Sequence, residues 1–275
     1  MNIQIKPVQQ FYYLVMMIRL IVTVKNRLSH FLQTFPFMIS QYGEKYELVI
    51  VNYYSNDNLE EELSKEIEKR QETLSPYLNK IIYIKLLEDL KFNLKKARNL
   101  AASYFDNEES IFAFSDADVF LGMTYLDYWS KKVNKNKTFV ATRIQDTRAS
   151  YPHRIKPEIN AGNFLVNSKD FFKIQGHDEN MSKYGGGDDD LFHRLKLTGL
   201  REINPYDEKE SMQYSIIHGD ELRLKDLEIP ERVKKEETFE KIYANKAYCL
   251  KHNNFIRKGY SSNISTMEVL YENNT

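Results

Sequence analysis

Four short apolar runs of strand type, each ending in a polar cluster and spaced by helix-compatible sequence, constrain this chain more than any other feature. Leu20–Val24 gives way to Lys25-Asn26-Arg27 and then to a helical stretch from Leu28 to Ile39. Leu48–Val51 ends in Asn52-Tyr53-Tyr54-Ser55-Asn56-Asp57, whose Asn and Asp suit the cap of the next helix. There Leu59, Leu63 and Ile67 recur every four residues among Glu and Lys, Glu61 stands four before Lys65, and Pro76 closes the segment. Ile81–Lys85 precedes a helix opened by Asn93, with Leu94, Ala97, Ala101 and Tyr104 as its inward face. Ile111–Phe114 is the fourth run. Strands alternating with helices predict right-handed crossovers, an α/β architecture with a mostly parallel sheet, and ligands at the carboxyl ends of the strands. Lys25–Arg27, Asn52–Asp57 and Asp116–Asp118 all fall at such ends.

The last of these is chemically the richest. Ile111–Leu121 is an apolar run that delivers two carboxylates, Asp116 and Asp118, to its end. On an extended chain, residues two apart point to the same side. The pair can therefore share one hard cation, or divide a cation and a polar ligand between them. The other reading is a solvated strand end followed by a turn at Gly122; the motif alone leaves both open.

Composition removes several classes of function. Lys plus Arg and Asp plus Glu balance at 39 each, so there is no basic nucleic-acid footprint and any charged ligand must be met by local groups. One cysteine, Cys249, excludes an internal disulfide and a cysteine-cluster metal site, as expected in a reducing compartment. The apolar stretch Phe11–Ile18 is interrupted by Arg19, short of the roughly 18 residues a membrane helix needs. No small-x-small cleavage site follows it. A cytoplasmic protein is expected, with peripheral association at the inner face of a membrane. The 19 Tyr and 16 Phe suit a carbohydrate-facing cleft and an ordinary core equally.

Beyond Leu126, Trp129 and Val133, which mark a short helix, Thr138–Thr142 reads as a strand, Arg143–Glu158 as a loop and Asn163–Val166 as a strand. Gln175–Gly187 is polar and glycine-rich, and a helix is expected over Asp188–Thr198 with Gly199 just past its end. Residues 1–225 are read as the catalytic unit and 226–275 as a peripheral, helical C-terminal segment.

Tyr184-Gly185-Gly186-Gly187-Asp188-Asp189-Asp190-Leu191 is the second unusual stretch. Three adjacent carboxylates repel one another. Capping and the helix dipole account for one or two of them, and an Asp beside a glycine run and a cleft is also well placed as a general base.

Over roughly residues 18 to 220 the sequence resembles the GT-A fold glycosyltransferases of the β-1,4-galactosyltransferase and chondroitin-polymerase type. Three features carry the resemblance in order: Val24-Lys25-Asn26-Arg27, the Ser115-Asp116-Ala117-Asp118 DxD motif, and Asn160-Ala161-Gly162-Asn163 with Gly176-His177-Asp178-Glu179 and the Tyr184–Leu191 stretch. It implies a GT-A type, Rossmann-like fold with a mostly parallel central sheet flanked by helices. It further implies that Asp118 binds a metal, Asp116 contacts the sugar nucleotide, Gly162 lets the backbone approach the donor sugar, and Asp188 is the base of an inverting transfer. Lys25, Asn26, Arg27, Asp57, Tyr184, Gly186 and Asp189 are the remaining candidates for substrate or nucleotide binding. A downstream histidine ligand matches His218 in Ser215-Ile216-Ile217-His218. A mixed oxygen and imidazole set suits Mn²⁺, with Mg²⁺ as second candidate.

Where the type commonly carries an acidic residue this chain has Asn52, with Asp57 as a substitute for uridine recognition or a helix cap. Its usual Trp is Tyr184, and the usual Glu before the Asp run is Gly187, so acceptor identity does not carry over. The function implied is transfer of a hexose or N-acetylhexosamine, Gal- or GalNAc-like, from a UDP-sugar to a glycan or glycolipid. Two other classes fit less well. One is a non-catalytic carbohydrate-binding protein on the same fold. The other is a metal-dependent nucleotidyltransferase, for which Lys25-Asn26-Arg27 lacks the glycines of a phosphate loop.

Overall fold

The computed structural model describes residues 16–87, 93–135, 137–141, 144–146, 162–179, 181, 187–203, 213–216 and 265–273. All secondary structure below refers to these residues. Strand β1 (Met17–Val24) is followed by helix α1 (Leu28–Met38), β2 (Tyr46–Asn52), α2 (Leu59–Arg70), β3 (Leu78–Leu86), α3 (Leu94–Ser103) and β4 (Ser110–Asp116). Then come β5 (Val119–Leu121), α4 (Tyr125–Lys135), β6 (Thr138–Ala141), β7 (Ile144–Asp146), β8 (Phe164–Asn167), α5 (Ser168–Lys173), α6 (Gly187–Leu197), β9 (Arg201–Ile203), β10 (Gln213–Ser215) and β11 (Ser265–Glu272).

An eight-stranded sheet runs in the order β11-β3-β2-β1-β4-β8-β6-β9. The pairs β3–β2, β2–β1, β1–β4 and β6–β9 are parallel, as the strand–helix alternation predicts. Antiparallel β8 lies between β4 and β6. β1 and β2 are buried almost throughout, because both faces of the sheet are covered. Strand alternation divides their side chains between two cores. Leu20, Val22, Leu48 and Ile50 join Phe31, Phe35, Leu63 and Trp129 of α1, α2 and α4 on one face. Ile21, Val49 and Val51 join Ala97, Ala101, Phe171 and Leu191 of α3, α5 and α6 on the other. Each large apolar side chain so buried contributes roughly 1.5–3 kcal/mol.

Three expectations are corrected. Within the C-terminal segment read as helical, Ser265–Glu272 is a strand that pairs antiparallel with β3 at the sheet edge. Its register shifts between Val269 and Tyr271, and Leu270 and Tyr271 pack on the first core. Within the loop expected over Arg143–Glu158, Ile144–Asp146 is a strand of a second sheet, β5-β10-β7. Finally, Asp57 does not cap the helix that follows it. Asn58, in the left-handed region at φ 57°, stands at the head of α2 without a side-chain cap, and Asp57 caps α1 instead, accepting from Leu28 N at 2.9 Å.

Candidate active site

The carboxyl ends of β1 and β2 are tied together by their own loops. Asn26, at φ 50°, donates its N–H to Ser55 Oγ (3.1 Å), and its side-chain oxygen accepts from Asn56 N (3.0 Å). Ser55 Oγ in turn donates to Val24 O (3.3 Å), and Tyr53 N does so at 2.9 Å. Asn52 Oδ1 accepts from Ser55 N at 2.7 Å while its amide nitrogen donates to Tyr83 Oη at 2.6 Å. An Asn at this position is thus engaged by the loop it anchors on one side and by Tyr83 of β3 on the other. The clasp holds half-buried Lys25, Asn26, Arg27 and Asp57 beside one another, with Lys25 Nζ 5.5 Å from the centre of the Tyr53 ring.

The β1–β4 register pairs Thr23 with Asp116, so this loop emerges next to the DxD motif. β4 ends at Asp116, and Ala117 and Asp118 form a turn before β5. The two carboxylates therefore stand on a strand end and a turn; the strand pleat does not set their relative direction. Thr34 Oγ1 of α1 donates to Ala117 O (2.7 Å), and Ile216 N, just past β10, donates to Asp118 O (2.7 Å). Buried Asn163 accepts from Asp116 N at 2.9 Å and donates to Gln213 Oε1 at 3.2 Å.

The centre of the site is a residue the sequence reading passed over. Arg98 of α3 is 1% exposed and donates Nη2 to Asp116 Oδ1 (3.0 Å) and to Gly162 O (2.5 Å), and Nη1 to Asp188 Oδ1 (3.0 Å). One guanidinium joins three residues predicted from separate motifs. Its planar fork allows this, and the rings of Phe114 and Phe164 lie 5.8 and 5.7 Å from it. Besides the predicted Ala97 and Ala101, α3 buries Lys95, Arg98 and Asn99. The signal was there: three polar side chains at i, i+3 and i+4 sit within an otherwise apolar helix face.

The three aspartates of α6 separate by partner. The helix begins at Gly187, so all three lie in its first turn and capping does not distinguish them. Asp190 is fully buried against Arg194 (2.7 Å), whose Nη1 also donates to Ile174 O and Gly176 O. Asp189 is exposed. Asp188 takes Arg98 and keeps 26% of its side chain open. Burial raises the Asp188 carboxyl above the usual carboxylate range, against the opposing pull of Arg98 and Lys95. A carboxylate so placed is a stronger proton acceptor than a free one.

The turn before α6 is fixed by Asn99, which donates to His177 O (2.8 Å) and accepts from His177 N (2.8 Å). Gly176 sits there at φ +65°, where a side chain would collide with Asn99 and Phe171. The His177 ring lies among Phe114, Phe164 and Phe171. Burial holds it neutral, well below the ordinary histidine range, with Arg98, Arg194 and Lys95 pushing the same way.

Residues 145–218 match the family model described as the N-terminal domain of galactosyltransferase. No curated protein matches the chain. Among solved structures, residues 1–349 of S. aureus TarS in complex with UDP-GlcNAc superpose with a TM-score of 0.60 at 15% identity, over 88% of this chain and 68% of that one. The fold is that of a GT-A glycosyltransferase. The mannosyltransferase PcManGT from Pyrobaculum calidifontis, in complex with GDP-Man and Mn²⁺, agrees at a TM-score of 0.57 and 16% identity, over 86% of this chain and 70% of that one.

The predicted residues form two described groups. Lys25, Asn26, Arg27 and Asp57 belong to the β1–β2 clasp; Asp116, Gly162 and Asp188 meet at Arg98, with Asp118 and Asp189 adjacent in sequence to that centre. Tyr184, Gly186 and His218 lie outside the described residues.

Proposed function

We propose that this protein is an inverting, metal-dependent glycosyltransferase that moves a hexose or N-acetylhexosamine of the Gal or GalNAc kind from a UDP-sugar to a hydroxyl of a glycan or glycolipid. The observation that carries this reading is the Arg98 guanidinium, which ties Asp116, on the donor side, to Asp188, on the acceptor side. Asp188 takes the proton of the acceptor hydroxyl as that oxygen bonds to the anomeric carbon. The bond from that carbon to the nucleoside diphosphate breaks on the opposite face, so a UDP-α-sugar gives a β-linkage. A hydroxyl is barely ionised at neutral pH, and a positioned base contributes roughly 10²–10⁴ in rate. Lys25 and Arg27 supply fixed cations for the donor at the end of β1.

Asp118 and His218 would hold Mn²⁺. Among the described residues no three His, Cys, Asp or Glu side chains cluster for a cation. Asp118 offers a half-buried carboxylate, however, and the hydrogen bond from Ile216 N to Asp118 O brings the chain to within two residues of His218. Such a set fits a cation whose coordination is completed by diphosphate oxygens. When bound, the metal supplies neutralisation of the charge on the leaving diphosphate. We assign the catalytic residues to 1–225, with β11 completing the edge of the same sheet, and place the protein in the cytoplasm at the inner face of a membrane.

The test is release of nucleoside diphosphate by the purified protein with Mn²⁺ over a panel of nucleotide sugars and glycan acceptors, with NMR of the product. UDP release and a β-linked product are expected. Asp188→Asn should keep UDP binding and lose about 10²–10⁴ in transfer, while Asp118→Asn should lose Mn²⁺-dependent UDP binding in calorimetry. An active Asp188→Asn enzyme or an α-linked product would sink the mechanism.

A further inference from the structure

Gly187 opens α6 immediately before the base, and it is buried beneath a lysine. A Cβ placed on it would fall on top of Lys95 Cε and 2.9 Å from Lys95 Cδ, so the aliphatic stem of Lys95 occupies the space of the missing side chain. Lys95 is itself 5% exposed, although its position in the first turn of α3 would let it reach solvent. Burying an ammonium is costly unless carboxylates face it. The acidic groups in its surroundings are Asp188, Asp178 and Asp190, with Arg98 as the like charge. The glycine that departs from the resembled type and the buried lysine are two halves of one packing arrangement, and a side chain at 187 would have to displace the Lys95 stem.

We propose that Lys95 is a positioning residue of this active site: its stem, packed over Gly187, carries a buried positive charge to the side of the Asp188 carboxyl that accepts the proton. The role rests on the reading of Asp188 as the base. The charges facing Asp188 are Arg98 and Lys95 from α3 and Asp189 of its own helix, with Asp116 at the end of β4 across Arg98; Asp178 and Asp190 stand around Lys95, and Arg194 is taken up by Asp190. Burial opposes ionisation of Asp188, and Lys95 acts against burial. Burial pushes the Lys95 ammonium below its ordinary range, with Arg98 acting the same way and Asp188, Asp178 and Asp190 pulling against them.

Lys95→Met keeps an unbranched stem over Gly187 and removes the charge, leaving the other groups in place. In carbon-13 NMR of aspartate-labelled protein, the Asp188 carboxyl, assigned by its disappearance in Asp188→Asn, should titrate at higher pH in Lys95→Met than in wild type. The acid limb of kcat/KM should move the same way, and Lys95→Arg should return both toward wild type. If Lys95→Met does not fold, Lys95→Gln gives the same measurement. A midpoint that stays in place or falls overturns the proposal. A midpoint that rises while Asp188→Asn transfers at the wild-type rate upholds the charge coupling and refutes the base.

Discussion

Helix α2 and the α3–α6 contact use the same residue types to opposite ends. On α2, Lys65 pairs with Glu61 and Glu62, and Glu66 pairs with Lys69 and Arg70, in an i,i+3 and i,i+4 ladder turned to solvent. Such pairs contribute little, since water already solvates each charge. Between α3 and α6 the charges are inside. Arg98, Arg194, Lys95 and Asp190 are buried, and each is held where a neighbouring carboxylate, guanidinium or carbonyl compensates it. The first arrangement tolerates change because any partner can be replaced by water. The second does not, because removing one member leaves another desolvated and unmatched.

The largest departure between the two regions should come from Arg98→Met. It strips Asp116 and Asp188 of their shared cation, and with both carboxylates about a quarter exposed, the cost should sit at the low end for a buried pair, about 3 kcal/mol. Urea denaturation would read this directly, and a loss no larger than that of a surface mutant would erase the distinction.

A smaller effect is expected from His177. Its folded-state proton affinity is lowered, so it contributes stability above the ordinary histidine value of about 6.5 that is lost as pH falls below it toward the depressed folded value. The urea midpoint of wild type should fall between pH 6.5 and about 5, and less so in His177→Phe, which suits a ring cage of Phe114, Phe164 and Phe171. Equal acid sensitivity in both proteins would show that this ring is not held neutral.

Arg27→Ala tests the clasp, which lies between the two extremes: a half-buried cation whose Nη1 donates to its neighbour's carbonyl, Asn26 O, at 3.2 Å. The donor KM should rise while the thermal midpoint stays near wild type. A loss of folding with unchanged kinetics in the soluble fraction would assign Arg27 to structure. At the small end, Lys65→Ala on α2 should leave the denaturation midpoint where it is; a clear drop would mean that the surface ladder carries more than water-screened pairing.

These contrasts explain how far the sequence could be read. β1 to β4 and their helices were legible because both-face burial produces continuous β-branched runs, and because Asn93, whose side chain accepts from Lys96 N, and Gly199, at φ +91°, carry their local chemistry openly. The aspartates of the site were legible because unbroken or closely spaced carboxylates are costly without a purpose. Arg98 and Lys95 were harder to read: their spacing on α3 with Asn99 is a signal, but a cation on a helix is ordinarily solvated, and only the packing of α3 against the sheet and beside α6 removes it from water. β11 escaped notice for a related reason. Its outward residues Met267 and Val269 remain exposed, so Ser265–Glu272 lacks the clean alternation of a half-buried strand.

β11 also sets an order of events for the nascent chain. β3 has β2 on one side from early in synthesis, but its outer edge is paired by residues made after nearly everything else described. At ribosomal speeds of about 5–20 residues per second, that edge stays open for on the order of ten seconds or more after β3 emerges. An unpaired strand with Ile82 and Ile84 among its side chains is a template for another chain during that interval. Yield from a cell should therefore depend on chaperone supply and on translation rate, and a version cut before Ser265 should aggregate even though no residue assigned to catalysis is missing.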